Sequence, residues 1–124
     1  MKVKFLKCME CGKIVEVLED SSVDTICCKT PMLEIIANTV DAAIEKHIPV
    51  FEQNGNNVKV SVGSILHPME ENHYIKWIYV VTNKNNYCFS LKPGDIPVIN
   101  FILNDNENII DIYAYCNLHS LWKK

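Results

Sequence analysis

Four of the six cysteines fall within the first 28 residues, as Cys8 and Cys11 in KCMECGK and as Cys27 and Cys28 in CCKTPM. A segment this short cannot bury a stable core by itself, and domains below ~40 residues usually depend on a metal or on disulfides. Four thiols at this spacing supply the ligands of one tetrahedral metal ion. A disulfide pair or inert buried thiols are the alternatives. The pattern therefore predicts a small metal-bound domain over residues 1–36.

The compartment of the protein bears on the choice between a metal and disulfides. The start of the chain, MKVKFLKC, has neither the apolar stretch nor the cleavage site of a secretory signal, so we expect a cytoplasmic protein with reduced cysteines. No apolar run reaches the ~18 residues of a membrane helix, so no membrane partner is expected. All 12 basic residues are lysines and the net charge is −3. Without a guanidinium to read bases or grip phosphates, nucleic acid is disfavoured as a partner.

Residues 37–124 show the alternation of apolar and polar residues that is typical of β-strands. NVKVSVG alternates Val58, Val60 and Val62 with polar residues. Further strand candidates are HYIKWIYVVT, YCFSL, PVINFIL and IIDIYAYC, and they are separated by the turn-forming clusters NKNN, KPGD and NDNEN. Short strands at this spacing predict a mainly β chain that contains an antiparallel β-sandwich.

Two of these strand candidates allow local predictions about burial. In IIDIYAYC the alternating residues Ile110, Ile112 and Ala114 are predicted to pack in the core. Cys88, in YCFSL, is predicted to be a buried apolar thiol.

The segment before the β region, residues 32–47, has a different period. Its apolar residues Leu33, Ile36, Val40 and Ile44 recur at helical spacing and predict one face of a helix. Pro49 and the β-branched residues that follow favour extended chain.

The four histidines all lie in the β region, and a cysteine accompanies the last of them: His47, His67, His73, Cys116 and His119. A single histidine is more often a hydrogen-bonded core or surface residue than a ligand. Together, four imidazoles and one thiolate exceed the four ligands of zinc. Iron accommodates five ligands and can keep a sixth position open. A blue-copper site is disfavoured, because it needs a methionine close behind its last histidine and only SLWKK follows His119.

These motifs resemble those of the desulfoferrodoxin family, the two-iron form of superoxide reductase. The shared pieces run in family order along almost the whole chain: CMEC, ICCKTPM, EKHIPV, HPMEENHYIKW, LKPGD and YCNLHSLWK. The resemblance implies a desulforedoxin-like domain over residues 1–36, with iron held by Cys8, Cys11, Cys27 and Cys28. It also implies an immunoglobulin-like β-sandwich over residues 37–124, with iron held by His47, His67, His73 and His119 in a plane and Cys116 axial.

The resemblance further implies an enzyme that reduces superoxide by one electron to hydrogen peroxide, with two non-haem irons as cofactors. The Glu-Lys pair before the first histidine is found here as Glu45 and Lys46. In the family the lysine attracts superoxide and the glutamate can occupy the sixth position of the oxidised iron. An external donor such as rubredoxin returns the electron, and family members are commonly homodimers.

Two other functions remain compatible with the residues alone. The chain could be a non-catalytic iron electron carrier or a zinc-bound structural module. Glu45 and Lys46, taken without the family, are an ordinary solvated charge pair. The chain also departs from the family at Lys29 and Ser120, where glycine is common, and a positive φ at the second position would suit glycine better than serine.

Overall fold

A computed structural model describes residues 3–124, which form two compact units. The first unit ends at Ile36 and the second runs from Ala37 to Lys124. Both are built from antiparallel strands, and the only helix in the described residues is a single turn, α1 (Ile44–His47). Within residues 3–124 no helix has the length and apolar content that crossing a membrane requires. The prediction of a mainly β chain is confirmed.

The first unit consists of very short strands. They are β1 (Phe5–Lys7), β2 (Ile14–Glu16), β3 (Ile26–Cys27), β4 (Thr30–Pro31) and β5 (Leu33–Glu34). Strand β1 lies between β2 and β5 in an antiparallel sheet, and β3 and β4 form a hairpin. Leu6, Cys8 and Met32 make up its buried cluster. Phe5 is buried as well, but the cluster is small and includes a cysteine, so little apolar burial holds the unit together.

The helix predicted over residues 32–47 is wrong except for its last turn. Leu33 and Glu34 pair with β1 as a strand. Asn38 has a φ of 62°, in the left-handed region, which an α-helix cannot contain. Its side chain accepts a hydrogen bond from the Lys123 N–H and donates one to the Lys123 carbonyl oxygen, each at 2.9 Å. Tertiary pairing therefore overrides the apolar periodicity of this segment.

The second unit is a two-layer β-sandwich. Its strands are β6 (Pro49–Asn54), β7 (Asn57–Val62), β8 (Ile75–Thr82), β9 (Asn86–Ser90), β10 (Val98–Ile102), β11 (Ile109–Cys116) and β12 (Ser120–Lys123). One antiparallel sheet has the order β10-β7-β6 and the other has the order β12-β11-β8-β9. Seven strands divided three and four are typical of an immunoglobulin-like sandwich, which is the predicted fold class.

The core of the sandwich unit is apolar and drawn from both sheets. Its buried members are Val58, Val60, Val62, Ile75, Ile78, Val80, Ile99, Leu103, Ile112, Ala114 and Cys116. Fully burying one side chain of valine or isoleucine size contributes ~1.5–3 kcal/mol. All but one of these residues are apolar groups with no metal-binding chemistry, so this unit has a core that does not depend on a metal.

Two burial predictions are wrong for reasons of strand register. Ile110 is exposed, because the pairing of β11 with β8 shifts between Ile109 and Asp111 and this irregularity interrupts the alternation. Cys88 is also exposed. Its neighbours Tyr87 and Phe89 pack against the core, so the alternation of β9 turns Cys88 away from it.

Candidate metal centres

The first candidate centre is the group of Cys8, Cys11, Cys27 and Cys28, whose Sγ atoms all lie within 4.8 Å of one another. The Sγ atoms of Cys11 and Cys27 are 3.6 Å apart, and those of Cys27 and Cys28 are 4.0 Å apart. These separations match the ~3.8 Å edge of a tetrahedron with metal–sulfur bonds of ~2.3 Å. They are far longer than a disulfide bond of ~2.05 Å. The geometry therefore favours the metal site over a disulfide pair.

Two turns with left-handed backbone present these sulfurs. After Cys11, Gly12 has a φ of 82° and its N–H donates to the Cys8 carbonyl oxygen at 2.9 Å. Between β3 and β4, Cys28 and Lys29 have φ values of 51° and 66°. Lys29 thus occupies a conformation that glycine adopts without strain, which accounts for the glycine that is common there in the family.

The hydrogen bonds of the four-cysteine group give two of its thiols very different pKa values. The Cys11 N–H points at the Cys8 sulfur at 3.5 Å and lowers the pKa of Cys8 to about 6. Hydrogen bonding with Cys8 and Cys11 raises the pKa of Cys27 to about 12. One thiolate forms readily and a second one beside it is disfavoured. A cation bound by all four sulfurs removes that conflict, so the donor set fits a thiophilic metal.

The second candidate centre gathers side chains from four segments of the sandwich unit. His47 ends α1, His67 lies in the loop after β7, and His73 lies just before β8. Cys116 is the last residue of β11, and His119 lies in the turn between β11 and β12. Strands β8 and β11 are paired, which explains how residues so far apart in sequence meet at one end of the sandwich.

The imidazoles of His47, His67, His73 and His119 form a closed cycle of neighbours, called here the four-imidazole group. Ring centroids are 4.7 Å apart for His47–His67 and for His67–His73. They are 5.3 Å apart for His73–His119 and 4.9 Å apart for His119–His47. Each ring is nearly perpendicular to the next, with interplanar angles between 77° and 85°. Such a cycle surrounds one common point.

Hydrogen bonds to carbonyl oxygens fix the tautomers of two of these rings. Nδ1 of His47 lies 2.6 Å from the Ala43 carbonyl oxygen, and Nδ1 of His67 lies 2.7 Å from that of Pro68. A carbonyl oxygen only accepts, so we assign the hydrogen to Nδ1 in both rings and a bare lone pair to Nε2. The two Nε2 atoms are 3.2 Å apart. Two lone pairs at this distance repel each other. A cation bound between them, such as a metal ion, would remove that repulsion.

The protonation states of the rings agree with a metal-binding role. Burial lowers the pKa of His47 and of His73, and lowers that of His67 to about 4. At neutral pH these rings are uncharged, as metal ligands must be. Nε2 of His73 is buried and has no hydrogen-bond partner among residues 3–124. A buried nitrogen without a partner, next to bare nitrogens, fits a metal ligand better than a core histidine.

Cys116 and His119 complete the donor set. The ligand atoms of His47, His67, His73 and Cys116 lie within 4.8 Å of one another. Nδ1 of His119 is 3.1 Å from Nε2 of His47 and 3.8 Å from the Cys116 sulfur. Burial raises the pKa of Cys116, while backbone N–H groups that point at its sulfur favour the thiolate. The structure therefore brings together all five residues predicted for this site, which is called here the histidine–cysteine centre.

Glu45 and Lys46, the predicted catalytic pair, are exposed on α1 directly before His47. Beyond the effect of burial, the Lys46 charge lowers the pKa of His73 and the Glu45 charge raises that of His47. Both side chains therefore act electrostatically on the four-imidazole group.

The loop that follows β7 holds α1 in place. The Glu45 carbonyl oxygen accepts hydrogen bonds from the Ile65 N–H at 3.0 Å and from the Ser64 hydroxyl at 3.2 Å. A Cβ atom at Gly63 would lie 2.5 Å from that same oxygen. Glycine therefore allows the close approach that places Glu45 and Lys46 beside the histidines.

Trp122 is a functional neighbour that the sequence analysis missed. Its ring lies 4.7 Å from that of His47, and its Nε1–H donates to the His119 carbonyl oxygen at 2.9 Å. It supports two candidate ligands at once. The only sequence signal was a tryptophan three residues after His119, which looks the same as any core aromatic residue.

The two sites define a two-centre metalloprotein, with the four-cysteine group on a small β unit and the histidine–cysteine centre on a β-sandwich. The family model described as "Desulfoferrodoxin, N-terminal domain" matches residues 2–35, and the one described as "Desulfoferrodoxin" matches residues 39–124. The chain belongs to the desulfoferrodoxin family, as its motifs predicted. Its two groups match the two iron sites of that family.

Relatives and solved structures extend the similarity. The desulfoferrodoxin of Syntrophotalea carbinolica is 46% identical over 121 residues, which cover 98% of this chain and 94% of the relative. The crystal structure of the superoxide reductase from Treponema pallidum matches with a TM-score of 0.83 and 32% identity. The match covers 100% of this chain and 99% of the Treponema pallidum chain. The superoxide reductase (1Fe-SOR) from Giardia intestinalis matches with a TM-score of 0.52 and 33% identity. The match covers 64% of this chain and 95% of the Giardia intestinalis chain.

Proposed function

We propose that this protein is a superoxide reductase acting at the histidine–cysteine centre. One superoxide, one electron and two protons give one hydrogen peroxide. The observation that carries the proposal is the closed four-imidazole group beside the Cys116 sulfur, with the exposed Lys46 directly before His47. Similarity to the superoxide reductases of Treponema pallidum and Giardia intestinalis supports it.

The proposed iron ligands are His47, His67, His73, His119 and Cys116. Bound ferrous iron supplies the electron that superoxide takes up. Four neutral imidazoles add no negative charge, so the centre stays positive and attracts an anion. The Cys116 thiolate would donate electron density to that iron, as thiolate ligands do in haem enzymes, and this would favour release of the product.

Glu45 and Lys46 have different tasks in this proposal. The net charge of the protein is −3, which opposes the approach of a small anion. The exposed Lys46 ammonium offsets that repulsion locally and raises the rate of encounter. The Glu45 carboxylate would act after the reduction, as an additional ligand for the oxidised iron.

The electron that is consumed must return from an external one-electron donor, and we propose a rubredoxin-type protein. The four-cysteine group is proposed to hold the second iron, in a domain of residues 1–36, with the reductase domain over residues 37–124. Cys11 and Cys28 are exposed, which supports electron exchange at the surface of that group.

Two further proposals concern assembly and compartment. Exposed apolar side chains of the first unit, among them Leu18 and Val23, support the homodimer that the family resemblance implies. Exposed cysteines that form no disulfide bond, such as Cys11 and Cys28, are typical of a reducing compartment, which supports the cytoplasm.

The test combines metal content with the yield of peroxide. The purified protein is reduced and then mixed with superoxide, and peroxide formed is divided by superoxide consumed. Reduction gives a ratio of one, and dismutation gives one half. Zinc in place of iron at both groups would make the chain a structural module. An iron protein that leaves superoxide unreacted would be an electron carrier.

A further inference from the structure

The Asn117 side chain bridges the two segments that carry Cys116 and His73. Its Oδ1 accepts from the Tyr74 N–H at 2.9 Å, and its Nδ2 donates to the Asn72 carbonyl oxygen at 3.0 Å. The Asn117 N–H adds a bond of 3.2 Å to the Tyr74 carbonyl oxygen. Asn72 and Tyr74 are the residues on either side of His73. One asparagine therefore fixes the backbone on both sides of a proposed ligand.

His73 needs such support more than the other proposed ligands. His47 and His67 are oriented by hydrogen bonds from Nδ1 to carbonyl oxygens. His73 is half-buried, and its Nε2 has no hydrogen-bond partner among residues 3–124. Its backbone pairs with Glu70 across a tight turn, at 2.9 and 3.1 Å. That turn holds itself together, and the bonds of Asn117 attach it to the end of β11.

The sandwich contains a second asparagine with the same three bonds at a different place. Oδ1 of Asn83 accepts from the Asn108 N–H at 2.7 Å, and its Nδ2 donates to the Asn106 carbonyl oxygen at 3.2 Å. The Asn83 N–H bonds the Asn108 carbonyl oxygen at 3.0 Å. These bonds surround Glu107, which belongs to neither metal-binding group. Asn83 is therefore a matched control for the loss of such a bridge.

We propose that Asn117 is a positioning residue of the histidine–cysteine centre. By holding Asn72 and Tyr74 it sets the place at which Nε2 of His73 meets the other donors. This inference rests on the proposed function only in taking His73 as a metal ligand. Groups that orient ligands in this way typically account for ~10–100-fold in metal affinity or activity.

The test measures metal affinity rather than turnover. Full-length protein with an empty histidine–cysteine centre is titrated anaerobically with Fe(II), and separately with Co(II), against a competing chelator. Asn117→Ala should weaken both affinities by ~10–100-fold, whereas Asn83→Ala should change them by less than about twofold. Asn117→Asp still accepts from Tyr74 but no longer donates to Asn72, so its affinity should fall between the two. High salt screens its added charge.

Hydrogen exchange in the metal-free protein provides a second readout. The Tyr74 amide should lose protection in Asn117→Ala, and the Asn108 amide should lose it in Asn83→Ala. Lost Tyr74 protection with unchanged metal affinity would overturn the proposal, and so would equal weakening by Asn83→Ala. If Asn117→Ala does not fold, parental affinity in Asn117→Asp would overturn it. A parent that binds Co(II) but forms no peroxide would refute the reductase function alone, and the Co(II) comparison would still decide the role of Asn117.

Discussion

The two units hold their candidate metal ligands with very different amounts of packed core. In the described part of the first unit, the buried cluster is Leu6, Met32 and one of the cysteines themselves, Cys8. In the sandwich unit, the buried cluster spans both sheets and Cys116 is one member among many apolar residues. We infer that the first unit needs its metal in order to fold, whereas the sandwich unit can fold without one.

The dependence of the first unit on its metal can be tested by removing one of its sulfurs. Cys28→Ser removes one of four sulfurs from a unit with little other burial, and metal binding contributes ~10–16 kcal/mol to the folding of comparable small zinc domains. We expect loss of the bound metal and loss of order up to Ile36. Metal analysis and amide hydrogen exchange measure both. The matched control, Cys88→Ser, changes an exposed cysteine of the sandwich and should keep both metals.

Cys116→Ser applies the same exchange of sulfur for oxygen to the sandwich unit. We expect reductase activity to be abolished while the fold persists, because Ile112 and Ala114 of the same strand remain packed in the core. Far-UV circular dichroism and the rate of superoxide consumption check the two halves of this statement. A tenfold loss of rate corresponds to only ~1.4 kcal/mol. Retention of more than about a tenth of the rate would show that the Cys116 thiolate does not tune the reactivity of the centre.

Within the sandwich unit, Lys46→Ala changes the charge beside the histidine–cysteine centre without changing the donor atoms. The second-order rate with superoxide should fall by roughly tenfold and depend less on salt, because focused positive potential raises on-rates and is screened over ~10 Å at 0.1 M salt. Glu45→Ala is the control and should neither lower this rate nor flatten its salt dependence, because Glu45 acts after the encounter. Pulsed generation of superoxide at several salt concentrations measures the rate and its salt dependence. An unchanged salt slope in Lys46→Ala would return this lysine to the role of a solvated surface charge.

The sandwich unit should also show an acid sensitivity that its metal does not cause. Hydrogen bonds, chiefly from the Thr82 hydroxyl, lower the pKa of Glu107 to about 2. A carboxyl whose pKa is lowered in the folded state stabilises the fold above its unfolded pKa, and that stabilisation is lost as the pH falls towards 2. Glu107→Gln should therefore be less stable than the parent at neutral pH, and the difference should shrink in acid. Urea unfolding of the metal-free proteins at several pH values measures it. A difference that does not vary with pH would contradict this account.

The smallest expected effect compares one turn from each unit. Lys29 and Ser120 have φ values of 66° and 64°, a conformation that costs a non-glycine residue ~1–2 kcal/mol. Glycine adopts it freely but loses ~0.5–1 kcal/mol of entropy on folding, so each substitution to glycine should stabilise its unit by roughly 0.5–1 kcal/mol. Ser120→Gly should do so with or without metal. Lys29→Gly should do so only in the metal-loaded protein, as denaturant unfolding of both forms would show.

Local patterns predicted the strands of the sandwich well, because alternation reports directly on which face is buried. Val58, Val60 and Val62 are buried as their pattern indicates. Ile110 and the segment around Asn38 were predicted wrongly, since an irregularity in β11 and pairing with distant strands decide their conformations. Neither effect leaves a signal in the local sequence.

The candidate centres divide in the same way. The nine candidate ligands could be named from residue type, spacing and family motifs, because thiols and imidazoles are rare and chemically distinctive. The residues that orient them could not. Asn117 and Trp122 act through backbone carbonyls and amides of other segments, so their roles depend on which turns meet at the end of the sandwich.

On the proposed function, the sandwich unit carries out the reduction by itself and the first unit is dispensable for it. The most direct test uses the Cys28→Ser variant, pre-reduced chemically and exposed to one pulse of superoxide. We expect one peroxide for each superoxide consumed, at the rate of the parent protein. A ratio of one half, or no consumption of superoxide while the histidine–cysteine centre still holds its iron, would contradict it.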